Sequence, residues 1–148
     1  SIGILVIGVT GSSILKEEKI QFQTVGEVIK IKGYDVKFLG VKNIEGANYL
    51  SKMGLFEIKK KSEIVKLMTP EKRFYNSGKQ VTTEAAINSS LLGDLYIALG
   101  DVNEKDFNKK QWTTRIWYNP YTIWIWISVC FLAIAGLISF ANALRLKK

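Results

Sequence analysis

The chain has 148 residues, with 21 Lys/Arg against 13 Asp/Glu, one cysteine and no histidine. Without histidine it lacks the usual general base and the commonest metal ligand, and a single thiol rules out a disulfide within the chain. The formal net charge of +8 raises nucleic acid or anionic lipid as partners. Apart from Lys59–Lys61, however, the lysines are interspersed with acids, so a solvated lysine-rich face is the better account and nucleic acid is not expected.

The first segment, Ser1–Gly11 (SIGILVIGVTG), is apolar and uncharged. It is too short to span a bilayer and carries no basic region ahead of its apolar core. Residues 1–13 are expected to be the outer end of a transmembrane helix that begins upstream. A buried first strand fits less well, because Gly3, Gly8 and Gly11 suit helix packing better than a strand interior.

Residues 14–118 hold 18 Lys/Arg against 13 Asp/Glu and are long enough for one core. Their pattern is strand-like. Ile20 and Phe22 alternate, Val28 alternates with Lys30, and Tyr34, Val36 and Phe38 recur with a period of two; Phe56 and Ile58 begin another run and Ile64, Val65 and Leu67 a further one. Gly26, Gly33, Gly40, Gly46 and Gly54 mark turns between them. Phe74–Val81 reads as a hairpin around Asn76-Ser77-Gly78. If so, the Glu71-Lys72-Arg73 cluster and Glu84 lie at matching distances from the turn, where a cross-strand ion pair is expected. Glu84–Leu92 fits a short helix or a strand, and Asp94–Gly100 and Trp112–Tyr118 are the last strand candidates. The expected fold is mainly β, a small antiparallel barrel or sandwich held between two transmembrane helices, the first of them truncated.

The last segment, residues 119–144, is uncharged. Its dense part, Tyr121–Ala143, has 23 residues and reaches about 34 Å as a helix, enough to cross a hydrocarbon core of about 30 Å. Thr122, Ser128, Ser139 and Asn142 are small enough to bond back to a helix. Trp112, Trp117, Tyr118, Tyr121, Trp124 and Trp126 are expected to form an interfacial aromatic belt. The basic tail 145–148 then stays in the cytoplasm by the positive-inside rule, and the domain lies on the far side of the membrane.

Chemistry is thin in these residues. Cys130 lies in the middle of the anchor, Met53 and Met68 lie in strand-like runs and read as packing residues, and Asp94 and Glu84 are not paired by spacing. No catalytic, cofactor-binding or metal-ligating residue is nominated.

The run TPEKRFYNSGKQVTTEAAI (Thr69–Ile87), followed by DLYIALG (Asp94–Gly100) and WTTRIWYNPYTIWIW (Trp112–Trp126), resembles the C-terminal region of the CcmF/CcsA family of cytochrome c-type biogenesis proteins. GVTGSS (Gly8–Ser13), Gly33-Tyr34 and GANYL (Gly46–Leu50) fall in the same order, with Ala47 where the family usually has proline. The resemblance covers nearly the whole chain. It implies a haem lyase subunit of the bacterial inner membrane, with the domain in the periplasm, or of the mitochondrial inner membrane. That subunit receives haem from a haem chaperone and attaches it to apocytochrome c, together with other cytochrome c maturation subunits. By the same resemblance haem belongs to the parent protein and is not ligated by this chain, whose upstream helices would carry the haem-handling residues. The positions matching the family pattern are Glu71, Lys72, Arg73, Tyr75, Thr83, Glu84, Asp94, Tyr96 and Arg115, expected to stabilise the domain or dock it. A competing reading is a self-sufficient, membrane-anchored periplasmic binding module without a haem role.

Overall fold

The computed structural model describes residues 2–78, 80–103 and 110–145. Helix α1 (Ile2–Ile14) leads into β1 (Glu17–Gln23), β2 (Val28–Ile31), β3 (Tyr34–Glu45), β4 (Tyr49–Lys60), β5 (Glu63–Met68), β6 (Glu71–Tyr75), β7 (Val81–Glu84), β8 (Ala86–Ser90), β9 (Gly93–Asn103) and β10 (Gln111–Pro120), and α2 (Thr122–Arg145) follows. The segment from Glu84 to Leu92 is therefore strand and turn, not helix. The chain divides into two units, one holding the helices and the β8–β9 turn, the other the body of the β-domain.

The β-domain is a sandwich. One sheet has the order β1-β10-β9-β8, and the other β2-β3-β4-β6-β7, with β5 also pairing with β4. Strands β2 and β3 are joined across Ile31↔Tyr34 by a two-residue loop in which Lys32 and Gly33 both have positive φ (46° and 78°), the twist-matched hairpin geometry. The β4–β5 loop repeats this geometry with Lys61 and Ser62 (φ 50° and 67°) and no glycine, so the sequence carries no punctuation there. The pairing of β3 with β4 shifts register between Phe38 and Gly40. Gly40 adopts φ 138°, a conformation open to glycine. The inserted residue keeps Phe38 and Val41 on the same side, paired with Phe56 and Gly54.

Strands β5 and β6 lie end to end along β4: Met68 pairs with Phe56 and Glu71 with Met53. Thr69-Pro70 breaks the ladder between them, as a residue without an N–H must. The Pro70 carbonyl still accepts from Gly54 N at 2.8 Å.

Period-two alternation builds the core. Tyr34, Val36, Phe38, Phe56, Ile58 and Met68 from one sheet meet Leu95, Ile97, Leu99, Trp112, Ile116 and Tyr118 from the other, and Phe38 and Phe56 hold their rings 5.0 Å apart. On β1 the inward residue is Gln23, whose Oε1 accepts from Thr114 Oγ1 at 2.7 Å. Ile20 and Phe22, which marked the strand in the sequence, point to the exposed face.

In the helical unit α1 and α2 touch at glycine. A Cβ on Gly8 would stand 2.9 Å from Ile125 Cγ1, and one on Gly11 2.6 Å from the Tyr121 ring, whereas Gly3 faces open space. Leu92 O accepts from Tyr121 N at 3.0 Å and Leu91 O accepts from Trp124 Nε1 at 3.1 Å, so the β8–β9 turn ties down the start of α2. Thr122 and Ser128 return their hydroxyls to the carbonyls of Asn119 and Ile125. Thr122–Leu144 is long and apolar enough to cross a membrane, with a mean hydropathy of 2.3. Helix α1, at 13 residues, is not.

Candidate functional site

Strands β4 and β6 place side chains on two faces. On the outer face stand Tyr49, Ser51 and Met53, directly opposite Tyr75, Arg73 and Glu71. Arg73 Nε donates to Glu71 Oε2 at 2.9 Å, and Ser51 Oγ donates to the same oxygen at 3.1 Å. The guanidinium lies 5.0 Å over the Tyr49 ring, which is itself 5.5 Å from the ring of Tyr75. Hydrogen bonds to Glu71 first and to the Tyr75 hydroxyl second raise the Arg73 pKa above its ordinary range. The cation is thus fixed in place by a carboxylate on one side and a π face on the other.

This arrangement corrects the expected cross-strand ion pair. In the β6–β7 register Glu71 stands opposite Glu84 and Arg73 opposite Thr82, so a pair between the cluster and Glu84 would have to run diagonally. Arg73 instead turns along its own strand to Glu71, and Glu84 Oε1 takes a hydrogen bond from Thr82 Oγ1 at 3.4 Å.

On the inner face of the same strands, Lys72 lies opposite Lys52 on one side and Thr83 on the other. Lys72 Nζ pairs with Asp101 Oδ1 and stands 5.9 Å from the Phe74 ring.

The remaining family-motif positions lie elsewhere. On the outer face of the other sheet, Tyr96 stacks on Trp117, with centroids 5.2 Å apart and planes 6° from parallel. The Arg115 guanidinium covers the Trp117 ring at 5.2 Å while Arg115 Nε pairs with Glu18. Asp94 is buried at the start of β9 and Glu84 is exposed at the end of β7.

The six aromatic residues expected at a membrane interface divide between the two units. Trp112 and Tyr118 are 5% and 7% exposed and belong to the sandwich core, because the inward residues of β10 are its even-numbered ones. Trp117 points outward into the stack with Tyr96, and only Tyr121, Trp124 and Trp126 lie in the helical unit. Sequence reasoning also passed over Tyr49, Ser51 and Lys52. The period-two run of β4 was the available signal for them, but it was followed only from Phe56 onward.

The family model described as the CcmF C-terminal beta-sandwich matches residues 14–120. The cytochrome c-type biogenesis protein CcmF of Haemophilus influenzae is 36% identical over 93% of this chain and 20% of its own length. The CcmF proteins of Pseudomonas aeruginosa and Escherichia coli are 30% and 27% identical over 91% and 93% of the chain, again covering about a fifth of the relative. Among solved structures, a cytochrome c heme lyase CcmF shares the fold with a TM-score of 0.65 at 16% identity, over 92% of this chain and 22% of that one. The chain thus spans about a fifth of the length of the relatives it matches. With most of its length inside the family model and a sandwich where that model places one, the chain belongs to the CcmF family of cytochrome c-type biogenesis proteins.

Proposed function

We propose that this chain is the C-terminal part of a membrane haem lyase subunit for cytochrome c maturation, serving as a structural or docking domain and a final anchor. The observation that carries the reading is the match of the sandwich to the CcmF C-terminal model, followed directly by a single helix long and apolar enough to cross a bilayer. On this reading α2 crosses the bacterial inner membrane (or the mitochondrial one), residues 145–148 stay in the cytoplasm, and the sandwich lies in the periplasm. Helix α1 is then the end of a preceding span. The partners are upstream helices of the same protein, other maturation subunits, a haem chaperone and apocytochrome c.

On this reading haem is held by parts of the parent protein outside this chain. The sequence has no histidine, Met68 is enclosed in the sandwich core, and Cys130 lies on the apolar helix. No axial ligand is assigned among these residues, and no step of haem attachment. What the domain contributes is a surface, and the Glu71–Arg73–Tyr49–Tyr75 cluster is a polar feature of it held by hydrogen bonds and ring contacts, suited to docking.

Arg73→Glu in the full-length protein, expressed in cells without another CcmF, tests the reading. The expected outcome is a loss of covalently haem-stained cytochrome c at unchanged protein level. Wild-type maturation with Arg73→Glu would overturn the docking role.

A further inference from the structure

The core face of the larger sheet runs on into a region that the smaller one covers less, from Phe56 at 0% exposure to Leu50 at 52%. Past Phe56 and Gly54 the same face continues through Lys52 and Leu50 on β4, Asn43 and Glu45 on β3, and Lys72 and Phe74 on β6. Here lies an open cavity of about 610 Å³ lined from this face by Leu50, Lys52, Phe74, Asn43 and Glu45, and also by Ile44 and Ser51, a pair that the register assigns to the opposite face; its size is that of ligand sites.

Two features of the cavity oppose folding economy. Lys52 and Lys72 face each other directly across the β4–β6 ladder, an arrangement of like charges that destabilises a sheet. Lys72 is compensated by Asp101. Lys52 has no carboxylate partner among the described residues; its ammonium sits between the rings of Phe74 and Trp112, at 5.6 and 5.4 Å. Lys110 Nζ stands 5.8 Å from the centre of the Trp112 ring. Glu45 is the single acid in the wall.

The third feature is an open strand edge. β2 pairs with β3 over Tyr34–Lys37 only, and the Gly26 and Glu27 backbone extends that contact to Phe38. Residues 41–45 of β3 are paired on one side with β4, and among the described residues no strand covers their other side. Such an edge is a template for one more strand, and this one runs along the cavity.

We infer that this edge and cavity receive an extended polypeptide segment by strand addition to residues 41–45 of β3. Alternate side chains of an added strand point to the same face, so the segment offers an acidic residue to Lys52, opposite Asn43, and, two positions away, an apolar one to the exposed Leu50, opposite Glu45. Backbone hydrogen bonds supply affinity and the cavity supplies selectivity. The inference goes beyond the haem lyase reading and needs only the geometry of the sandwich.

The test uses the full chain in phosphatidylcholine nanodiscs and a phage-displayed library of random octapeptides. Expected is enrichment of peptides with Asp or Glu two residues from Leu, Ile or Phe. Synthesised individually, they should slow amide exchange at residues 41–45 and lose about tenfold in affinity to Lys52→Glu. Lys52→Gln, which keeps the uncharged stem against the rings, should weaken them in the same direction while leaving the near-UV circular dichroism unchanged. Failure to enrich any peptide, equal affinity for both variants and wild type, or exchange protection elsewhere would overturn the inference. Decanoate binding that depends on Lys52, with no peptide bound, would make the cavity a small-amphiphile site and likewise end the peptide assignment. None of these outcomes bears on the maturation assay with Arg73→Glu, so the two readings fail separately.

Discussion

Strands β4 and β6 hold cations on both of their faces and treat them in opposite ways. On the outer face Arg73 is bonded to Glu71, backed by Ser51 and laid on Tyr49. On the inner face Lys52 and Lys72 confront each other beside Phe74, and among the described residues Lys52 is held by rings without a carboxylate. A completed ion pair stiffens a surface, whereas a cation set in an apolar hollow keeps its hydrogen-bonding capacity for something else. The outer face therefore reads as a rigid docking feature and the inner face as a receptor.

The largest effect that sharpens this comparison lies along the inner face itself. Phe56 is fully enclosed, so Phe56→Ala should cost about 3–5 kcal/mol. Phe74, only half-buried on the same face, should cost no more than about 1.5 kcal/mol on truncation to alanine. Urea midpoints of the two variants decide the matter, and similar losses would mean that Phe74 is core after all.

On the other sheet, Tyr96→Leu should remove an aromatic pair with Trp117 worth about 0.5–1.5 kcal/mol beyond area, read by the same denaturation.

Lys52→Gln should change the stability of the domain by less than about 1 kcal/mol, since the lost repulsion from Lys72 is offset by two lost ring contacts. A loss well above that in urea denaturation would break the argument that this lysine is kept for binding.

The smallest expected effect is that of pH on the outer face. Pairing raises the Arg73 pKa. Its contribution is then fully present below the unfolded value and is lost only as pH rises through the folded one, both above the usual working range. The difference in urea midpoint between wild type and Arg73→Gln should stay constant from about pH 7 to about pH 10. A difference that shrinks over that range would mean that the cation is not held as described.

Much of the sandwich was legible because alternation and glycine are local signals. The runs at Tyr34–Phe38, Asp94–Gly100 and Trp112–Tyr118 all became strands, and β6 and β7 pair as the expected hairpin from Phe74↔Val81 outward, though none of Asn76, Ser77 and Gly78 takes positive φ. What misled was the direction of each strand's faces. Ile20 and Phe22 looked like core and face outward, while Gln23 is the enclosed residue of β1. Trp112 and Tyr118 looked interfacial by their nearness to α2, yet their parity on β10 turns them inward. The Lys61-Ser62 turn carried no glycine to announce it. The outer-face cluster was legible in part: its acid and its cation were named, but their pairing was assigned across the hairpin when it runs along β6.

The sequence by itself determined the division into a β-rich stretch and an apolar helix, the absence of histidine chemistry and the family, because composition, periodicity and motif order are properties of neighbouring residues. Only the tertiary structure decided which carboxylate Arg73 takes, which tryptophans are enclosed, and that Lys52 meets the rings of Phe74 and Trp112 from two other strands. Those outcomes depend on register and on how far one sheet covers the other, and neither is written in any local run of residues.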